Sequence, residues 1–447
     1  MVSLDGIASG LDTTALIDSL MAVEAIPRTI LTNKVSSTQT LISALQTLNT
    51  RVASVTTTAE NLAKAGSLAL TKGTSTDDSI AVATKQGAAP GSMAITVDAV
   101  AARQVSVSKS MTSWGGDSTL DITRGGTTQT IALDPTSIDS VVKSINDSAT
   151  AGITALKVRS GTAADGTAQY RIQLSSKDTG AAATFTTSLD TDLVTAASDA
   201  QLTLWADSPD PAVRTTITSS TNTFAEVLPN VDITVSKKTT AAATIAVSSD
   251  VDAQTAAAKK LVDDINSVFS LITANSTVTS TTSSTGASST KAGIFTGDST
   301  ARSVRTGLTE AISYPVNDRS PSEIGIELQR DGTIKFDDAA FKEALAKDPA
   351  AVQSTLSAIA ARVQKVGDAA SDKFDGTITG RITGQQNLVK SLGDQVLSWD
   401  DRLASRRSTL ERTYAQLEVQ LSNLQSQQTW LQGQLATLGT NNTGAKK

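Results

Sequence analysis

The 447-residue chain contains neither cysteine nor histidine. That removes disulfides, thiol nucleophiles, the usual soft metal ligands and the side chain that most often serves as a general base near neutral pH. The composition therefore argues against an enzyme and implies no cofactor and no metal. Aromatic residues make up only 3% and charged residues 18%, so the cores must be aliphatic and alanine-rich. Net charge is -6 with a pI near 5.0, and Lys and Arg do not gather in long runs. The electrostatic footprint of nucleic-acid binding is missing. No apolar run approaches the length of a membrane span, and no basic residue precedes Arg28. Neither a cleaved signal peptide nor membrane insertion is expected. Cysteine-free chains rich in Ser and Thr are often found outside the cell, which leaves export by a route without signal cleavage open.

A long periodic pattern dominates what is present. Val389, Val396, Leu403, Leu410, Leu417, Leu424, Leu431 and Leu438 recur every seven residues, the spacing of a coiled-coil seam. A companion row runs through Leu392, Trp399, Tyr414, Leu421 and Leu435, interrupted by Arg406 and Thr413. A helix this long cannot hide within one globular domain, so its apolar edge must meet another helix. The N-terminal region offers a partner. Leu31, Leu45, Val52 and Ala59 share the spacing, with Leu41, Leu48, Val55 and Leu62 alongside, and Thr38 and Lys34 as weak positions. Ahead of them, Asp12 is placed to cap a short helix with Leu16, Ile17 and Leu20 on its apolar face, and Pro27 separates the two helical pieces. Leu41, Leu45, Leu48, Val52 and Val55, with the C-terminal seam from Val396 to Leu438, are the candidate assembly residues.

The interior reads differently. Alternation predicts strands at 91–100, 131–133, 155–158, 170–174, 231–235 and 244–247. One helix interrupts them near Ile138, Val141, Val142 and Ile145. A helix follows Asp252, then a Ser/Thr/Gly stretch from 276 to 289 reads as a linker. Asp331-Gly332 marks a hairpin, and Asp348-Pro349 marks a helix start. With this length, two or three domains are expected. The acidic pairs at 263–264, 337–338 and 400–401 are read as solvated faces and helix starts rather than acid/base or calcium sites. The segment from Gly376 to Gly384 lacks the Lys-Ser/Thr ending of a phosphate loop and is read as a flexible joint. Trp114 and Trp205 are read as core anchors rather than exposed glycan-binding residues.

Several segments, in order, carry a resemblance: the opening Gly6-Ile-Ala-Ser-Gly-Leu-Asp-Thr, Gly91-Ser-Met-Ala-Ile-Thr-Val with Ala101-Ala-Arg-Gln, the stretch from Asn222 to Val235, Thr296-Gly-Asp-Ser, and Ile324-Gly-Ile through Asp337. Together they resemble the bacterial flagellar filament-capping family, flagellar hook-associated protein 2. Residues 120–145 also resemble the insertion motif of flagellins and hook proteins, and residues 111–219 carry the resemblance least. Asn230 stands where the family usually has Gly, and Asn tolerates the positive φ such a turn requires.

The resemblance implies an α+β multidomain protein. Its parts would be a terminal helical coiled-coil leg (1–65 with 385–447), a mixed α/β core domain (66–75 with 250–384), a mainly-β domain (76–110 with 217–249) and an inserted β-rich domain with one helix (111–216). It also implies a non-enzymatic assembly factor, exported through the flagellar type III apparatus with an export chaperone and located outside the cell at the filament tip. There it would form a ring-like homo-oligomer that orders flagellin, with the hook-filament junction protein as a neighbour. The other readings of the same pattern are a flagellin-like or junction structural protein, and a surface adhesin that binds host glycans.

Overall fold

The structure is a computed structural model in which residues 10, 12–282 and 288–441 are described, with side chains described as far as residue 436. The chain divides into two compact units, Gly66–Ala257 and Met1–Ala65 with Ala258–Lys447. Most of the opening motif, residues 6–9 and 11, lies outside the described residues.

Helix α1 (Thr13–Glu24) begins where the Asp12 carboxylate accepts a hydrogen bond from the Ala15 amide at 2.8 Å, satisfying one of the donors a helix start leaves open. Helix α2 (Ile26–Ala63) follows after Ala25. Pro27 lies in its first turn, where a missing N–H costs no hydrogen bond.

The β-rich unit follows. Its strands are β1 (Thr71–Ser75), β2 (Ile80–Thr84), β3 (Gly91–Ala99), β4 (Val105–Ser108), β5 (Thr119–Arg124) and β6 (Thr127–Ala132). After α3 (Ile138–Asp147) come β7 (Ile153–Thr162), β8 (Ala168–Ser176), β9 (Phe185–Thr187), β10 (Thr191–Thr195) and β11 (Ala200–Leu204). The last four are β12 (Thr215–Ser219), β13 (Thr223–Leu228), β14 (Val231–Val235) and β15 (Ala243–Ser249). Helix α4 (Val251–Ser276) then carries the chain back to the helical unit.

Two cores organise the β-rich unit. In one, the sheet β1-β15-β3-β11-β12 and the sheet β13-β14-β2 share a core of Ile95, Val97, Leu202, Phe224, Ile233 and Ile245. In the other, the sheets β10-β4-β8-β7 and β6-β5-β9 enclose Ile122, Ile153, Ile172, Leu174 and Phe185, and α3 adds Val141 and Ile145. Every pairing within these sheets is antiparallel. Each large aliphatic side chain taken fully out of water contributes about 1.5–3 kcal/mol, so cores almost without aromatics still hold. Residues 66–75 were expected with the mixed α/β part. Instead Thr71–Ser75 pairs along β15 as the edge strand of the first sheet.

Neutral side-chain amides close the places where strand pairing runs out. Gln104 donates to the Phe185 carbonyl at 2.8 Å and accepts from its amide at 2.9 Å, both buried. Asn146 brackets Ala155 and Asn222 brackets Ala101 in the same two-bond fashion. Each amide presents the donor and acceptor of a missing backbone neighbour.

The helical unit continues with the ribbon β16 (Thr279–Thr282) and β17 (Ser288–Lys291), α5 (Ser299–Ser313), the hairpin β18 (Ile326–Leu328) and β19 (Ile334–Phe336), α6 (Asp338–Lys347), α7 (Pro349–Ser371) and α8 (Thr377–Asn441). Asn266 of α4 brackets Ile334 through its amide, tying the hairpin to the helices. Helix α2 packs on both α7 and α8. Its Arg51 donates to the Ser267 carbonyl and hydroxyl of α4, and its Thr58 donates to Asp264. A Cβ on residue 367 would collide with the Thr56 hydroxyl, so Gly367 is what lets α7 approach α2 closely.

Three expectations change. The stretch from 276 to 289, read as a linker, forms the two described strands of an exposed ribbon, whose backbone pairing needs no apolar core. The Gly376–Gly384 segment is no joint, because α8 starts at Thr377 and takes Gly380 and Gly384 into the helix. Trp205 is no core anchor: it is 46% exposed at φ 52°. Trp114 does pack against the second β core. Asn230 takes φ 62°, the conformation expected of its position.

Replacing Gln104 with Leu leaves a buried amide and carbonyl of Phe185 unpaired. A loss of about 2–4 kcal/mol is expected in denaturant unfolding, since each orphaned buried group costs about 1–3 kcal/mol. An acid limb is expected as well. The carboxylates of Asp331, Asp337 and Asp372 accept backbone amide hydrogen bonds that hold their pKa values below the ordinary range. A depressed folded pKa stabilises fully above the unfolded value, and this stability is lost as pH falls through the folded one. Acid titration should therefore weaken the protein below the usual carboxylate range, and Asp372→Asn should lower neutral-pH stability while flattening that limb.

Candidate assembly surface

The leg is built from α1, α2 and α8. Helix α8 is 65 residues long, roughly 100 Å at the rise of an α-helix. Ion pairs show its register against the N-terminal helices. Arg28 meets Asp400 through two hydrogen bonds of 2.6 and 3.4 Å, Arg406 meets Glu24 at 3.1 Å, and Arg407 meets Asp18 at 2.6 Å. The N-terminal numbers fall as those of α8 rise, so the helices run antiparallel. The hydrogen bonds and charge of Asp400 raise the Arg28 guanidinium above its ordinary pKa, and Asp18 with Glu411 does the same for Arg407. All these groups face solvent, so they set register more than they add stability. Arg406, expected as an interruption of the companion row, reaches sideways to Glu24 instead.

The candidate residues divide by burial. Leu45, Leu48, Val52 and Val55 are fully buried, and Leu41 is half-buried. On α8, Val396, Leu403 and Leu410 are half-buried, as are Val389, Tyr414 and Leu421, while Leu392 is buried. Farther on the stripe emerges: Leu417 is 43% exposed, Leu424 60% and Leu431 53%, with Trp430 and Leu435 also open. The Leu438 side chain lies outside the described residues. Because α1 begins at Thr13 and Asp18 already faces Arg407, the N-terminal helix ends near this point. The structure thus brings the α2 row together with α7 and the first half of α8, and it leaves the far half of the seam without a described helix over it. A second exposed stripe runs along Leu16, Leu20, Val23, Ile26 and Ile30. Of the three residues expected on the α1 apolar face, only Ile17 is buried.

Sequence reasoning missed the ion pairs, because a charge at a flanking position carries no mark of its partner 372 or more residues away. The i to i+4 neighbour Glu411 of Arg407 was the only local signal. Among the described residues, no group of three His, Cys, Asp or Glu is placed to hold a metal ion, and no helix is long and apolar enough to cross a membrane.

Two family models match this arrangement, that of the flagellar hook-associated protein 2 N-terminus over residues 9–104 and that of its C-terminus over residues 197–426. The chain belongs to the flagellar hook-associated protein 2 family. Members of this family are filament-cap proteins that stand outside the cell at the tip of the flagellar filament, and the terminal helices around β-rich insertions fit that fold. A flagellar hook-associated protein 2 from Escherichia coli is 26% identical over 100% of this chain and 99% of its own length. A lateral flagellar hook-associated protein 2 from Vibrio parahaemolyticus is 27% identical, over 66% of each chain. The fold is also like that in the crystal structure of the flagellar cap protein FliD D1-D2-D3 domains from Escherichia coli, with a TM-score of 0.57 and 23% identity across 76% of this chain and 99% of that one.

The burial pattern separates stabilising from exposed seam positions. Leu45→Ala should cost about 2–5 kcal/mol in chemical unfolding, as buried Leu truncations do. The double variant Leu424→Glu with Leu431→Glu should leave the unfolding midpoint of the helical unit unchanged.

Proposed function

We propose that the chain acts at the filament tip as a ring of identical copies whose helical legs engage the filament while exported flagellin is ordered beneath them. The observation that carries this reading is the change along a single seam, half-buried against its own chain from Val396 to Leu410 and open at Leu417, Leu424 and Leu431. Apolar residues repeated every seven positions and left uncovered supply a surface for other helices. The far half of α8 would then contact filament subunits, first the hook-filament junction protein and later flagellin, and Leu417, Leu424 and Leu431 would be the contacting residues. The paired half near α2 and α7 would anchor the leg to the rest of the helical unit.

Such a role is non-enzymatic: binding energy is spent on positioning subunits. An export chaperone would cover the same open stripe before secretion, since a surface of this kind promotes aggregation while it waits. The domain scheme consistent with this reading assigns the leg to the terminal helices and treats the remainder of the helical unit and residues 66–257 as separate parts.

Deleting the gene should release flagellin into the medium as soluble monomer and leave few or no filaments, measured by separating sedimentable from soluble flagellin. Complementation with the Leu424→Glu, Leu431→Glu variant should fail to restore filaments although that protein is folded, and its amount in the medium separates a lost leg contact from a lost chaperone contact. Filaments of normal length in the deletion strain would refute the capping role.

A further inference from the structure

Among the exposed aromatic side chains of the described residues, one stands out from the rest. Phe374 lies in the turn between α7 and α8 and is 80% exposed. The turn that carries it is well defined. The Asp372 carboxylate accepts hydrogen bonds from the Phe374 and Asp375 amides at 2.8 Å each, and Thr379 closes back onto the Asp372 carbonyl at 2.7 Å. The ring is thus presented on a fixed backbone, flanked by the opposite charges of Lys373 and Asp375, with the Lys373 ammonium 5.5 Å from its centroid. Fixing an apolar ring in water has an entropic and hydration cost that only a partner surface offsets.

At the other end of α7 is a cavity of about 480 Å³. Its lining is mixed: Ile324 and Val352 are buried in its wall with Ala344 beside them, and Arg319 and Lys347 line it together with Glu323, Glu343 and Asp348, all five exposed. Small and aliphatic walls with charges of both signs at the rim suit a ring that arrives with one cation and one anion beside it. Asp375 complements Arg319 or Lys347, and Lys373 complements Glu343.

The ring and the cavity cannot meet within one chain. They stand at the two ends of a 23-residue helix, about 30 Å apart at the helical rise. A knob and a socket fixed at opposite ends of one rigid element join copies head to tail, and such heterologous contacts close into rings when the rotation per copy permits. We propose that Phe374 of one copy seats in the cavity bounded by Ile324, Ala344 and Val352 of the next copy, and that this contact links the subunits of the ring. The inference rests on the homo-oligomer reading above and names the surface that makes it.

The absence of native cysteine makes the test direct. Asp375→Cys and Lys347→Cys, which leave the Phe374 ring in place, are combined in one full-length chain, and each is also made alone. After mild oxidation, the double variant should give a ladder of covalent multimers on a denaturing gel, and neither single variant should go beyond a slowly formed dimer. Phe374→Asp should weaken self-association at least tenfold by light scattering, as loss of an aromatic anchor does, with an unchanged circular dichroism melt. A covalent dimer from Asp375→Cys alone that forms as fast as the ladder of the double variant would show a symmetric contact and overturn the proposal. So would a double variant that forms multimers by light scattering yet does not cross-link, which would leave the homo-oligomer reading standing. A wild-type chain that stays monomeric at every concentration would overturn both.

Discussion

Burial of one face of α2 is the interaction on which the helical unit depends. Leu45, Leu48, Val52 and Val55 lie wholly out of water between α7 and the start of α8, and together they account for several kcal/mol of hydrophobic stabilisation. That packing joins the first 65 residues of the chain to the last 190, on either side of the inserted β-rich unit. Gly367 makes it possible, because α2 and α7 come too close for any side chain there. Once α2 is seated, the ion pairs of α1 and α2 with α8 fix which residues of the long helix face them and which run free beyond. The assembly surface is thus a consequence of where an internal packing contact stops.

Much of this was legible in the residues. The seven-residue recurrence is strong enough that α2 and α8 are evident without any structure. So are the Asp12 and Asp348 caps, the Asp331-Gly332 hairpin and the Asn230 turn, because each depends on local chemistry. What could not be read was which partner covers which stretch. Periodicity shows that Leu403 and Leu431 share a face, but only the position of α1 leaves one half-buried and the other open. Strands such as Thr215–Ser219 and the ribbon at Thr279–Thr282 and Ser288–Lys291 escaped because Ser and Thr on both faces erase the alternation that marks a half-buried strand. Gly380 and Gly384 look like helix breakers, yet α8 runs through them, propensity giving way to context. Phe374 could not be singled out because exposure is a property of the fold, and no motif surrounds it.

The β-rich unit shows how a chain so poor in aromatics and charge still specifies a structure. Its cores are aliphatic, and its strand ends are closed by carboxamides at Gln104, Asn146 and Asn222, with Asn266 doing the same for the hairpin of the helical unit. These groups supply direction that aliphatic contacts lack, since each bond fixes a strand to one register.

Carboxamides carry no charge in either protonation range of biological interest, and counter-ions do not compete for them. A scaffold fastened by such groups keeps its strand registers in acid, in alkali and across wide changes in salt, which Lys–Asp fastenings would not. For a protein that works outside the cell, where no cytoplasm buffers its surroundings, these strand registers rest on contacts that the medium cannot titrate, and the acid sensitivity is left to the carboxylates at turns and helix starts.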